Sequence, residues 1–311
     1  MVKKALLGQV SDTEIRLLRI FKAVVECGGL AAAELELNIG RSTISLHLKD
    51  LEVRLGLTLC RRGRAGFALT SDGQRVYDGG LRLLQAMDGF RADMHDLHDE
   101  FVGTLAFGLF DKTVTNSQAR IGPAIREFRR KAPQALLDVT VGTLSDIEQG
   151  VIDGRLQLGI VPDHRRSDSL SYMELFGETM YLYCGRLHPL FEGSHAVLDW
   201  AELQDYDYAG LAFHSPNMEA SLRFGLRRKA TVSDQEAVVA LIMSGCYIGF
   251  LPDHYAESFV RQGLIRRVEH PACMYEVRFV ALMRRTPAPS RMAECFLEGL
   301  QQAHSILNGP S

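Results

Sequence analysis

Apolar side chains recur at helical spacing over residues 13–27, where Ile15, Leu17, Leu18, Phe21, Val24 and Val25 mark one face of a helix that Gly28-Gly29 ends. A second short helix is expected over Ala31–Leu37, followed by a tight turn at Asn38-Ile39-Gly40. In the next segment Ile44, Leu48, Leu51 and Leu55 form an inward stripe, leaving Arg41, Ser42, Ser45 and Lys49 outward. Residues 55–70 then read as a β-hairpin with a basic, Gly-rich tip.

From Thr70-Ser71-Asp72, a cap group, the chain stays helix-compatible to about residue 100. Val76, Gly80, Leu83, Met87, Phe90, Met94, Leu97 and Phe101 alternate separations of four and three, the pattern of a helix that pairs with a second copy. Gly79-Gly80 is the weak point of that stripe. Beyond Gly103 short apolar runs alternate with helical segments. Strands are expected at Thr104–Leu109, Leu136–Val141, Leu156–Val161, Tyr172–Cys184, Tyr208–Phe213, Lys229–Val232, Tyr247–Phe250 and Val277–Met283. Successive βα units imply a parallel sheet with helices on both faces. The last strand and helix suggest a return to complete the first of two lobes. The expected division is residues 1–72, 73–101 and 102–311, the last as one lobe of about 102–170 and 273–311 and another of about 171–272.

Charge changes the picture. The 311 residues carry a net −3, but residues 1–75 hold 12 Lys/Arg against 8 Asp/Glu, and the remainder 23 against 30. A basic module on an acidic body fits DNA binding by one end only. Two helices joined by a three-residue turn, the second opening on small polar and basic residues, make a helix-turn-helix pattern. Slim Ser and Thr let such a helix enter the major groove, and Arg bonds guanine edges or phosphates. The DNA-contacting candidates are Arg41, Ser42, Thr43, Ser45, His47 and Lys49, with Arg61, Arg62 and Arg64 on the hairpin wing.

The run Leu51-Glu52, Leu55-Gly56, Leu59, Arg62, Leu69-Thr70 and Gly73 resembles the signature of LysR-type transcription regulators. Gly245-Cys246-Tyr247-Ile248-Gly249-Phe250-Leu251-Pro252 is similar to a second run of that family. The resemblance spans roughly residues 13–300. It implies an α/β architecture with an N-terminal winged helix-turn-helix, a long linker helix and a two-lobed effector domain like the periplasmic binding proteins. It also implies promoter DNA and a small-molecule effector as partners, and a homodimer or homotetramer. Cys60 replaces the family's usual Phe, and Gly40-Arg41 its usual Ser-Gln pair. An ungapped alignment puts Glu34 where the family packs an alanine against the recognition helix. Either Ala33 takes that place or the packing differs.

For the effector, the end of the first strand singles out Asp111, the family resemblance implies Thr113 and Thr115 as contacts, and strand-end position adds Thr143, Phe213, His214, Ser215, Ser233 and Pro252 across the cleft. Hydroxyls and backbone N–H groups suit a carboxylate or other polar metabolite, whereas Asp111 suits an amine or a hydroxyl. The threonines equally serve as helix caps. The six scattered cysteines form no C-x-x-C pair, so buried thiols are expected rather than disulfides or zinc. His95 and His98 read as a solvated face, and no metal or cofactor is expected. The chain shows no P-loop, G-x-S-x-G, H-E-x-x-H or G-x-G-x-x-G motif, so an enzyme is not expected. No apolar run is long enough for a membrane helix or signal peptide, which suggests residence in the cytosol. A cytosolic solute-binding protein with a helical dimerisation arm is the rival reading, but it leaves the basic wing unexplained.

Overall fold

The computed structural model describes residues 10–63, 66–96, 101–192, 200–212, 215–270 and 273–305. The chain divides into two compact units, Met1–Arg91 and Ala92–Ser311.

The first unit opens with α1 (Asp12–Glu26), α2 (Leu30–Leu37) and α3 (Arg41–Leu55). Ser11 and Glu14 form a reciprocal capping box on α1, and Glu14 also takes the Arg54 guanidinium of α3 at 2.7 Å. Leu17, Phe21 and Val24 pack on Ala33, Ile44, Leu48 and Leu51. Ala33 is fully buried, so it fills the alanine place of the second helix. Glu34 instead turns its carboxylate to accept the Arg41 N–H, supplying the cap that Gly40 cannot.

Next come the hairpin β1 (Cys60–Gly63) and β2 (Gly66–Leu69), then α4 (Ser71–Asp96). Four of the signature residues have mechanical jobs. Glu52 accepts the Leu59 N–H at 2.8 Å, fixing the turn into the hairpin. Gly56 ends α3 at φ 68°, where a side chain would be strained. Thr70 accepts the Gly73 N–H at 2.8 Å and donates to the Thr58 carbonyl at 2.6 Å. A Cβ on Gly73 would stand 1.8 Å from the Leu59 carbonyl oxygen.

The heptad stripe of α4 splits. Val76 packs on the unit's own core, and Gly80 leaves room for Leu18 of α1. Phe90 and Met94 are exposed by 63% and 42%. Leu97 lies outside the described residues.

The second unit begins with β3 (Thr104–Phe110), a 3-10 turn at Thr113–Thr115, α5 (Ile121–Lys131), β4 (Leu136–Gly142), α6 (Leu144–Ile152) and β5 (Leu158–Pro162). The long β6 (Leu170–Gly185) leads through α7 (Pro189–Glu192), α8 (Trp200–Gln204), β7 (Asp207–Leu211) and α9 (Pro216–Arg223). Then follow β8 (Arg227–Val232), α10 (Gln235–Met243), β9 (Ile248–Pro252), α11 (Asp253–Arg261), β10 (Ile265–Arg267), β11 (Met274–Arg284) and α12 (Arg291–Ser305).

The sheet is mixed, not parallel as expected. Among the described residues its order is β4-β3-β5-β11-β6-β9-β7-β8, with β10 beside the end of β6. Two parallel sets, β4-β3-β5 and β9-β7-β8, are joined by the antiparallel pair β11 and β6. Phe279–Leu282 pair with β5 while Met180–Cys184 pair with β9, so these two strands run through both lobes. A bulge between Phe279 and Val280 interrupts them midway. Helix α9 and strand β10 lie outside the sequence expectations, although Ser215 as cap with Pro216 at the first helical turn was a legible signal for α9.

Candidate functional site

Two sites emerge, one in each unit. In the first, Arg41, Ser42, Thr43 and Lys49 are exposed on α3, and Ser45 and His47 are half-buried. Ser42, Ser45, Lys49 and Val53 share one ridge by helical spacing, and Leu46 stands beside them, 65% exposed. Sequence reasoning missed Leu46; an apolar residue outside the inward stripe was the available signal. Thr43 and His47 lie on the stripe continued by Asp50 and Arg54, which bond each other at 2.9 Å. Arg61 is exposed on the wing strand and Arg62 belongs to the same strand. Arg64 lies outside the described residues. The ridge thus offers Arg, Lys, two hydroxyls and an apolar contact, the chemistry that reads base edges and phosphates.

In the second unit a cavity of about 290 Å³ opens at the carboxyl ends of β3, β4 and β7, against the starts of α6 and α10. Asp111, Thr143 and Ser233 line it, as expected, together with Lys112, Asp146 and Gln235. Apolar walls come from Phe110, Val141 and Leu211. Asp111 crosses between the lobes: its Oδ2 accepts the Gln235 N–H at 2.8 Å. Lys112 Nζ reaches Glu236 at 3.1 Å and Asp111 at 3.4 Å, and lies 5.1 Å from the Tyr255 ring centre. Burial works against the Lys112 charge, but these carboxylates outweigh it and raise the pKa. Asp234 caps α10 by accepting the Ala237 N–H at 2.8 Å, which together with the Ser233 hydroxyl lowers its pKa. Thr143 caps α6 and donates to Asp146 at 2.7 Å.

Four expected effector contacts do not line this cavity. Thr113 is buried, its hydroxyl donating to the Phe110 carbonyl at 2.6 Å. Thr115 bonds the Lys112 carbonyl and His254 Nδ1. Ser215 is buried as the cap of α9, and Pro252 ends a buried strand. Phe213 and His214 lie outside the described residues.

A larger cavity of about 490 Å³ lies along the two crossing strands, bordered by Asn116, Glu178, His254, Glu276 and Arg278. Glu178 is nearly fully buried and contacts His254 Nε2 at 3.0 Å; desolvation raises its pKa. Its position along the strands, rather than at their ends, separates it from the cleft. No group of His, Cys, Asp and Glu suited to a metal occurs among the described residues, and no described helix is long and apolar enough to cross a membrane.

Comparison with known proteins bears on both sites. Residues 15–74 match the bacterial regulatory helix-turn-helix proteins of the LysR family, and residues 98–305 match the LysR substrate binding domain. The HTH-type transcriptional activator BauR of Pseudomonas aeruginosa is 41% identical over 294 residues, covering 94% of this chain and 96% of its own. The probable regulator LrrA of Synechococcus elongatus is 26% identical over 240 residues, 76% of this chain and 79% of that one. Crystal structures of the LysR family regulator CbnR share the fold at 21% identity. One, of the protein alone, has a TM-score of 0.68; another, in complex with target DNA, has 0.66. Both comparisons cover 93% of this chain and 99% of the other.

Proposed function

The chain belongs to the LysR family of bacterial transcription regulators, and from that premise we propose which residues read DNA, where the effector sits and how copies assemble. It is a DNA-binding regulator with an effector domain, not an enzyme. Arg41, Ser42, Ser45, Leu46 and Lys49 read the major groove while Arg61 and Arg62 hold the flanking backbone. The exposed α3 ridge is the observation that carries this reading. Residues 73–101 pair two chains so that two reading heads meet two half-sites, and the effector domains of residues 102–311 assemble dimers into a tetramer. A promoter-binding protein of this kind works where the chromosome is, in the bacterial cytoplasm.

The effector is a small polar metabolite held in the 290 Å³ cleft, at strand ends and helix starts where α/β folds bind ligands. It shifts the balance of lobe arrangements by its difference in affinity for them. Retention of genomic fragments by the full-length protein, followed by sequencing, tests the DNA assignment. Enrichment of one dyad-like site is expected. Equal retention of all fragments by wild type and Arg41→Ala would remove α3 as the reader.

A further inference from the structure

We infer that the effector carries a primary ammonium group, an inference that rests on the cleft being the effector site. Of the five charged residues that line the cavity, four are acids, Asp111, Asp146, Asp234 and Glu236, and one is Lys112. The lysine is already held by Asp111 and Glu236. The start of α10, which would otherwise seat an oxyanion, is filled from within the protein. Asp111 takes its first N–H and Asp234 its third. One cavity-lining residue keeps a buried acceptor unsatisfied. Gln235 is 2% exposed, and its Oε1 has no hydrogen-bond partner among the described residues.

A buried acceptor without a donor is costly, and a ligand that supplies the donor recovers that cost. An ammonium group brings three N–H donors and a positive charge, meeting Gln235 Oε1 and the carboxylates together. A carboxylate brings only acceptors and adds to the negative charge. A quaternary ammonium has the charge without the N–H donors. The apolar walls of Phe110, Val141 and Leu211 suit a short methylene chain behind the ammonium.

Calorimetric titration of the full-length protein with n-butylamine, 4-aminobutyrate, butyrate and butyltrimethylammonium tests this. The two primary amines are expected to bind at least about tenfold more tightly than butyrate or the quaternary analogue, the equivalent of one charge-assisted hydrogen bond. Asp111→Asn should weaken the amines by about tenfold or more, with Asp111→Glu restoring part of the loss. Gln235→Met separates a ligand seat from a structural role. It should raise the melting temperature of the unliganded protein while weakening amine binding, whereas a structural glutamine would lower the first. Butyrate binding as well as butylamine, equal binding of the quaternary analogue, or no amine binding at millimolar concentration overturns the ammonium assignment. Ser233→Trp fills the cleft. If butyrate binds wild type but not this variant, the ligand class falls and the cleft stands. If amines bind the variant undiminished, the cleft itself is wrong.

Discussion

At the residue scale, the signature glycine and threonine of the first unit act through geometry rather than chemistry. Gly73 lets the Leu59 carbonyl pass within 1.8 Å of where a Cβ would sit. Gly73→Ala should therefore cost about 2–3 kcal/mol or more, measured by urea unfolding of the full chain. Thr113 looked on sequence like an effector contact, but its buried hydroxyl belongs to Phe110. Thr113→Val removes that buried hydrogen bond and should cost about 0.5–1.5 kcal/mol of stability. Amine affinity should stay where it was. A loss of affinity without a loss of stability would return Thr113 to the binding site. The sequence could not separate these roles, because a hydroxyl after a strand satisfies either a ligand or its own backbone.

At the element scale, caps and exposed faces decide. Glu14, held by the Ser11 hydroxyl and backbone and then by Arg54, has its pKa lowered from 4.5 to about 2. A depressed acid stabilises the fold in full above its unfolded value and loses that contribution as pH falls through the folded one. Glu14→Gln should thus destabilise the N-terminal unit at neutral pH, with the gap to wild type closing between pH 4.5 and about 2. Helix α4 presents the opposite case, a face left open. Phe90→Glu or Met87→Glu places charge in the proposed pairing seam and should shift sedimentation toward monomer. A wild-type monomer at micromolar concentration would remove the pairing argument. The unbroken four-three spacing was readable in the sequence. That Val76 and Gly80 serve the unit's own core was not, because the core they pack on, Leu18 beside Gly80 included, comes from other helices.

At the scale of the whole molecule, the basic N-terminal unit and the acidic body should make DNA binding strongly salt-dependent. Arg41→Ala and Leu46→Ala should relax sequence choice, each by about 1–3 kcal/mol at the affected base pair. Arg61→Ala should weaken all sequences alike and reduce the log–log salt slope by about one per bound subunit. Fluorescence anisotropy across a salt series distinguishes the two kinds of loss. Sequence-selective weakening by Arg61→Ala would make the wing a base reader.

By itself the sequence determined the order of most elements, though not α9 or β10, and the basic helix α3 and the hairpin wing. These rest on local periodicity, capping residues and turn glycines within a few residues of one another, as at Ile44-Leu48-Leu51 and Leu69-Thr70-Gly73. Tertiary structure decided the rest. The strand pattern of β6 and β11 is apolar and extended whether its neighbours run parallel or antiparallel, so only the register showed two antiparallel strands crossing both lobes. Asp111, Thr143 and Ser233 were legible as strand-end or cap residues, but the meeting of Asp111 and Thr143 with Ser233 and Gln235 depends on contacts between segments about ninety or more residues apart. Such contacts leave no periodic trace in the chain; they arise when folding brings the carboxyl ends of β3, β4 and β7 to one rim.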